Sequence, residues 1–237
     1  MSWLKRCVRA VFEMLESGFD AIFGPQLNPL CQLGALGWLL FWIVAGSGIY
    51  LYIFFDTGVL QAYQSTDAIT HGQWWAGGIM RSFHRYGSDA LVLLAVTHLL
   101  REFGLDRMRG RRWFAWLTGL ALLPFLYVCG ITGYWMVWDR LAQYVALTTA
   151  QWLDALPIFA EPIARNFLDN TNLSGRFFTL MAYLHIAAPL LLLLFMWIHI
   201  QRYNYARVIP PRKLMYALLG GFTVLSLAAP AVSQREV

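Results

Sequence analysis

The stretch IMRSFHRYGSDALVLLAVTHLLREF, residues 79–103, carries His84 and His98 fourteen residues apart in an apolar segment. The stretch FFTLMAYLHIAAPLLLLLFMWIHI, residues 177–200, repeats that interval with His185 and His199. Fourteen helical steps of about 100° return to nearly the same face, and about 1.5 Å per residue sets the two imidazoles roughly 21 Å apart along the axis. Two such helices facing each other make two imidazole pairs at two depths. A lone histidine in an apolar helix is usually a packing residue. Ionisable groups inside a membrane are costly, however, and here the interval occurs twice. Paired neutral imidazoles suit the two axial positions of haem iron. The same interval separates Gly34 from Gly48 and Gly119 from Gly133 in two further apolar segments. Glycine is expected there because a flat macrocycle wedged between four helices needs missing side chains where it presses on the backbone.

Composition agrees with a membrane bundle. The 237 residues are 59% hydrophobic and only 13% charged, where a soluble domain carries about a quarter charged residues. The expected fold is an all-α membrane protein: a four-helix transmembrane bundle holding two stacked haems, with an amphipathic N-terminal helix and a fifth transmembrane helix. The net charge of +5 sits in loops and termini, so it suits an anionic leaflet and not nucleic acid. Cys7, Cys31 and Cys129 are far apart, with no CxxC or CxxCH to suggest a redox dithiol or the usual covalent haem attachment.

Three regions follow along the chain. Residues 1–28 read as an amphipathic surface helix and lead-in loop, because Trp3, Leu4, Val8, Val11, Phe12 and Leu15 recur at helical spacing against charged residues. Residues 29–211 read as the bundle, with membrane helices at 33–55, 79–103, 114–137 and 177–200. The second is impure, since Arg81, Arg85 and Asp89 lie within it. The segment 56–75 reads as a polar loop with His71 solvated, and the loop 138–175 as carrying surface helices around 142–153 and 158–167. Residues 212–237 hold an uncharged stretch at 214–232, long enough for a fifth span, and a short tail. The amino terminus and the segments 101–112 and 201–213 are basic, which places them in the cytoplasm. His84 and His185 then lie near the outer face, and His98 and His199 near the inner face.

With these residues in view, the chain resembles the amino-terminal, haem-bearing half of cytochrome b, in its b6-like form, as in bc1 and b6f complexes. The carriers are Arg81-Ser-Phe-His84-Arg85, His98-Leu-Leu-Arg101, His185-Ile-Ala-Ala-Pro189, His199 and the two glycine pairs. Gly133-Tyr-Trp-Met-Val137-Trp138-Asp139 is similar to the family's Gly-Tyr-x-x-Pro-Trp segment, with valine replacing proline. The resemblance covers residues 28–211. It implies two non-covalent haem b groups, His84 and His185 ligating the outer and His98 and His199 the inner. It implies that Arg81 or Arg85, and Arg101, pair with propionates; reach to lipid headgroups is the plainer alternative. The family's Pro-Glu-Trp-Tyr motif does not occur in this sequence. Arg176-Phe-Phe sits farther from His185 than the family's Arg-Phe-Phe and is not carried over. Cys31 lies near the cysteine that attaches a third haem in b6, but one residue out of register with Gly34.

The function expected from these readings is a dihaem cytochrome b subunit carrying electrons across the membrane within a quinone-linked respiratory or photosynthetic complex, an electron-transfer part of a quinol oxidoreductase. Expected partners are the membrane, quinone or quinol, a Rieske or other iron–sulfur protein, cytochrome c, and a subunit supplying the second half of cytochrome b. The expected location is a bacterial inner membrane. A quinone site near Arg202 competes with a solvated basic loop, which fits those residues better. Two rivals stay open: a haem b anchor for a peripheral dehydrogenase or reductase, and a non-redox membrane scaffold.

Overall fold

The computed structural model describes residues 3–156, 162, 166, 168, 174–201 and 206–234. Eight α-helices occur among them: α1 (Trp3–Phe23), α2 (Leu33–Phe54), α3 (Gln61–Asp67), α4 (Ile79–Gly104), α5 (Trp113–Val137), α6 (Arg140–Asp154), α7 (Gly175–Gln201) and α8 (Arg212–Ala228). Three helical stretches, Pro29–Phe54, Gly110–Val137 and Gly175–Gln201, are long and apolar enough to cross a membrane. The charges within α4 keep it out of that set, although its 26 residues pack along α2. In the same way α5 packs along α7, so the bundle is built from two helix pairs.

Between the two histidine levels lies an apolar layer. Phe41, Leu91, Leu126 and Leu192 are all buried and belong to one core cluster. Each sits seven residues, about 10.5 Å or two helical turns, from the histidines or glycines of its own helix. The layer thus separates two depths at which side chains other than large apolar ones face inward.

Helix α1 docks on the C-terminal end of α4 through charge. Arg101 Nε donates to Glu16 Oε1 at 2.6 Å, and Lys5, almost fully buried, pairs with Asp106. A Cβ on Gly104 would stand 2.9 Å from Val8, so glycine permits the crossing. Asn28 is fully buried; its amide donates to Glu16 O and Asp20 Oδ1, and its Oδ1 accepts from Leu30 N. The Asn28-Pro29 break is therefore a hydrogen-bonded corner. Trp3, Leu4, Met14 and Ile22 point outward, an apolar face suited to a membrane surface.

Several sequence expectations change. The segment expected as a polar loop holds α3 and two π-helical turns, Ala68–Gly72 and Trp74–Gly78. Ala62 and Ile69 are buried there, and Thr66 and Thr70 bond back to their own helix, which satisfies polar side chains without solvent. His71 is exposed beside Asp67, in keeping with a solvated residue. The first surface helix expected in the following loop is α6, capped by Asp139 Oδ1 on Ala142 N and buried through Ala142, Ala146 and Ala150. The second, at 158–167, falls mostly outside the described residues. The α5–α6 corner is made by Trp138 in the left-handed region (φ 55°). Its indole packs edge-on against Phe178, with ring centres 5.0 Å apart.

Helix α8 starts and stops earlier than the stretch 214–232, because Pro230 denies the helix a donor and disfavours helical geometry just before it. It packs antiparallel to α4. Phe222 lies against Phe83, and Tyr86 Oη donates to Ala229 O at 2.5 Å. The segment after it crosses the N-terminal end of α4 and the C-terminal end of α5: Ala231 N donates to Ser82 Oγ and Gln234 N to Asp139 Oδ2.

Candidate functional site

Helices α4 and α7 present their histidines toward each other at two depths. At the depth expected to be outer, the rings of His84 and His185 have centres 6.0 Å apart at 66° to one another. Two imidazoles bound to one metal by bonds of about 2 Å would have ring centres roughly 6 Å apart. At the inner depth His98 and His199 line a common cavity of about 400 Å³ with Gly34, Gly119, Leu91, Leu126 and Leu192.

Three of the four glycines lie directly against a histidine ring of the neighbouring helix. A Cβ on Gly48 would stand 2.9 Å from His84 Cε1, one on Gly133 2.5 Å from His185 Cε1, and one on Gly119 3.3 Å from His199 Cε1. In each case the missing side chain makes room for the imidazole of the partner helix within a tightly packed pair. Gly34 differs: a Cβ there would meet nothing within 4 Å, and the residue lines the inner cavity.

Hydrogen bonds orient three of the four rings. His84 Nδ1 lies 3.0 Å from Val44 O, and His185 Nδ1 lies 2.9 Å from Cys129 O. A carbonyl only accepts, so Nδ1 carries the proton and Nε2 is left with its lone pair. Ser47 Oγ and Thr132 Oγ1 stand 3.4 Å from the same two nitrogens, and Thr118 Oγ1 stands 3.0 Å from His199 Nδ1. These hydroxyls were missed in the sequence. Their signal was a repeated dipeptide, Ser47-Gly48, Thr118-Gly119 and Thr132-Gly133, which fails only at Leu33-Gly34. His98 Nδ1 is buried with no hydrogen-bond partner among the described residues.

The arginines are more engaged than expected. Arg81 donates to Thr70 Oγ1 and, at 2.6 Å, to Ser233 Oγ. Arg85 pairs with Asp89 at 3.0 Å and lies over the ring of Tyr134. Arg101 lines the inner cavity but also pairs with Glu16 and Glu102, because α1 brings a carboxylate to it that the linear sequence does not place nearby. Arg107, Arg112 and Arg207 line the same cavity and were not singled out in the sequence. Trp116 lines it too, with a buried Nε1 lacking a partner among the described residues. Arg202 lies outside the described residues. Cys31 is exposed at the cavity lining.

Such a site fits a planar, acid-bearing macrocycle. It offers two facing imidazoles at the His84 level, two imidazoles lining one apolar slot at the His98 level, and in the lining of that slot cations and an indole N–H that can meet carboxylates. Among the described residues no three His, Cys, Asp or Glu side chains converge on one point, as a closed zinc site would require.

Comparison with known proteins agrees. A chain from a structure described as a hyperthermophilic respiratory Complex III superposes with a TM-score of 0.63 at 19% identity, covering 84% of this chain and 57% of that one. This chain therefore spans little more than half the length of that relative. The family model described as Cytochrome b/b6/petB matches residues 19–207, the whole bundle from the end of α1 through α7. This membrane protein belongs to the cytochrome b/b6 family.

Proposed function

We propose that the chain is a dihaem cytochrome b subunit that carries electrons across the membrane between a quinone pool and partner subunits. The observation that carries this is the outer pair: ring centres 6.0 Å apart, each Nδ1 held by a carbonyl, leaving each Nε2 with a free lone pair. His84 and His185 hold the outer haem b, His98 and His199 the inner. Bound haem supplies one-electron chemistry. The protein supplies orientation, spacing and field. Its apolar layer of Phe41, Leu91, Leu126 and Leu192 keeps water and charge from between the two levels. Arg101, Arg107, Arg112 and Arg207 favour carboxylates at the inner level, and Arg81 and Arg85 at the outer. Gly48, Gly119 and Gly133 let the imidazoles seat against the neighbouring helix, and Gly34 leaves the inner slot open.

The basic segments gather at one end of the bundle, where Arg101, Arg107, Arg112 and Arg207 line one cavity and Arg101 pairs with Glu16 of α1. That end is cytoplasmic by the positive-inside rule, giving an inner-membrane protein with a cytoplasmic amino terminus. Helix α4 crosses beside α2, and α8 returns to the outer end of α4 as a fifth crossing. Moving one charge fully across yields or costs about 2.3 kcal/mol per 100 mV, which couples transfer to membrane potential. Partners are an iron–sulfur protein, cytochrome c or a subunit completing a quinone site, as the relation to a Complex III chain over 57% of its length suggests. Acid-acetone extraction and pyridine haemochrome should find about two extractable haems per chain. One haem, or none, would overturn the dihaem reading. Co-purification of a molybdenum or iron–sulfur dehydrogenase in place of Complex III-type subunits would turn it into a haem b anchor.

A further inference from the structure

We propose that Thr118 is the positioning residue of the inner level, holding the proton on Nδ1 of His199, while His98 is held by no equivalent group among the described residues. The inference rests on the reading that these two histidines share one haem.

Three of the four imidazoles are backed by one construction. A hydroxyl residue precedes a glycine, and the glycine lets the neighbouring helix bring its histidine ring close. The hydroxyl proton is already used within its own helix. Thr118 Oγ1 bonds Phe114 O at 3.0 Å and Ala115 O at 2.9 Å, Ser47 bonds Ile43 O and Val44 O, and Thr132 bonds Val128 O and Cys129 O. A hydroxyl has one proton, so toward the histidine it offers only lone pairs. It therefore accepts from Nδ1–H and leaves Nε2 bare for a metal.

The three sites differ in how much they depend on that hydroxyl. At His84 and His185 a carbonyl is the nearer acceptor, at 3.0 and 2.9 Å, and the hydroxyl stands at 3.4 Å. At His199 the Thr118 hydroxyl itself stands at 3.0 Å and shares the Nδ1 proton with the Ala115 carbonyl, which also accepts from the ring. At the fourth site the construction is absent. Leu33 stands where the hydroxyl would be, and α2 begins only at Leu33, after a 3₁₀ turn at Pro29–Gln32, so no preceding α-helical turn backs His98. Its Nδ1 is the buried nitrogen without a partner among the described residues. Among the described residues the inner level thus has one oriented imidazole and one without a partner, and the outer level has two oriented.

An acceptor behind Nδ1 makes the imidazole a stronger donor and fixes its ring; losing such a partner typically costs 10- to 100-fold in metal affinity. A stronger donor favours the oxidised metal, so losing the acceptor raises the potential. The test uses the full chain with both haems bound. Spectroelectrochemistry reads each haem's midpoint potential, and transfer to apomyoglobin reads each release rate. In the wild type, the inner haem should leave about tenfold faster than the outer. Thr118→Val should raise the inner potential by about 59 mV, the one-electron equivalent of tenfold, and speed inner release about tenfold again. Thr118→Ser should restore wild-type values. Ser47→Ala and Thr132→Val should shift the outer haem less, and Thr223→Val, which removes an equivalent i−4 bond in α8, should shift neither. The proposal is overturned if the two wild-type release rates agree within twofold, a result that needs no variant to fold. It is also overturned if Thr118→Val leaves the inner haem unchanged, or if Thr118→Ser behaves like valine. A wild-type chain with fewer than two haems would instead sink the dihaem reading beneath it.

Discussion

Adding one methyl group at Gly133 should remove the outer haem, whereas the same change at Gly119 should leave the inner haem in place. The clash distances to the facing imidazole are 2.5 Å for Gly133, 2.9 Å for Gly48 and 3.3 Å for Gly119. Carbon atoms rest no closer than about 3.5 Å, so the rings must retreat by about 1.0, 0.6 and 0.2 Å respectively. A ligand set has to be held within about 0.5 Å of its working geometry. His185 exceeds that limit, His84 sits at it and His199 stays inside. His185 also cannot retreat freely, because its Nδ1 is tied to Cys129 O at 2.9 Å, a bond that a 1 Å shift of about that size would break. Overpacking costs about 1–3 kcal/mol, while alanine regains about 1 kcal/mol of helix propensity over glycine. The protein should therefore still fold, losing no more than about 2 kcal/mol at Gly133 and about nothing at Gly119. Haem per chain by pyridine haemochrome, with reduced-minus-oxidised spectra to separate the two signals, makes the comparison. Gly133→Ala with both signals at wild-type strength, or Gly119→Ala more damaging than Gly133→Ala, would refute the steric argument.

Other expectations follow from the same geometry. His84→Leu and His185→Leu should each abolish the same haem signal and add little in combination, since either breaks one shared site, while His98→Leu and His199→Leu abolish the other; a common loss from His84→Leu and His199→Leu would break the pairing. In a cysteine-free background, a cysteine at Arg109 should resist labelling from outside intact cells and one at Thr57 should label, and the reverse pattern would invert the orientation. Lys5 holds the Asp106 carboxyl below the usual carboxylate range, through their hydrogen bond and charge. A folded-state pKa lowered in this way gives stability that is present above the unfolded carboxylate pKa and lost as pH falls through the lowered value. The Lys5 contact should therefore loosen in that acid window, and Asp106→Asn should remove this pH dependence while Arg101–Glu16 keeps α1 docked; proteolytic sensitivity of α1 that follows the same acid profile in wild type and Asp106→Asn would contradict this.

The four-histidine frame, the glycine interval and the helix bounds were legible in the linear sequence because they depend on helical period alone. A fourteen-residue interval is nearly four whole turns, so it puts two residues on one face whatever surrounds the helix. The apolar layer of Phe41, Leu91, Leu126 and Leu192 obeys the same period but became apparent only in the packed core. The histidine interval marked α4 as a helix that apolarity alone would have missed. What period cannot state is which helix lies against which. Only the packing of α2 on α4 and of α5 on α7 showed that Gly48, Gly119 and Gly133 lie against imidazoles of the partner helix. The helical character of 61–78 was hidden because its apolar residues are few and its threonines satisfy themselves on their own backbone. Arg101 read as a propionate partner, and only the docking of α1 brought Glu16 to it from 85 residues away. The hydroxyls behind the histidines are likewise a tertiary fact: a Ser-Gly or Thr-Gly step acquires meaning only when a neighbouring helix is close enough to place an Nδ1 proton 3.0 to 3.4 Å from it. Local periodicity is a property of one helix, whereas a ligand's orientation and charge are set by groups on another, and those distances exist only once the chain is folded.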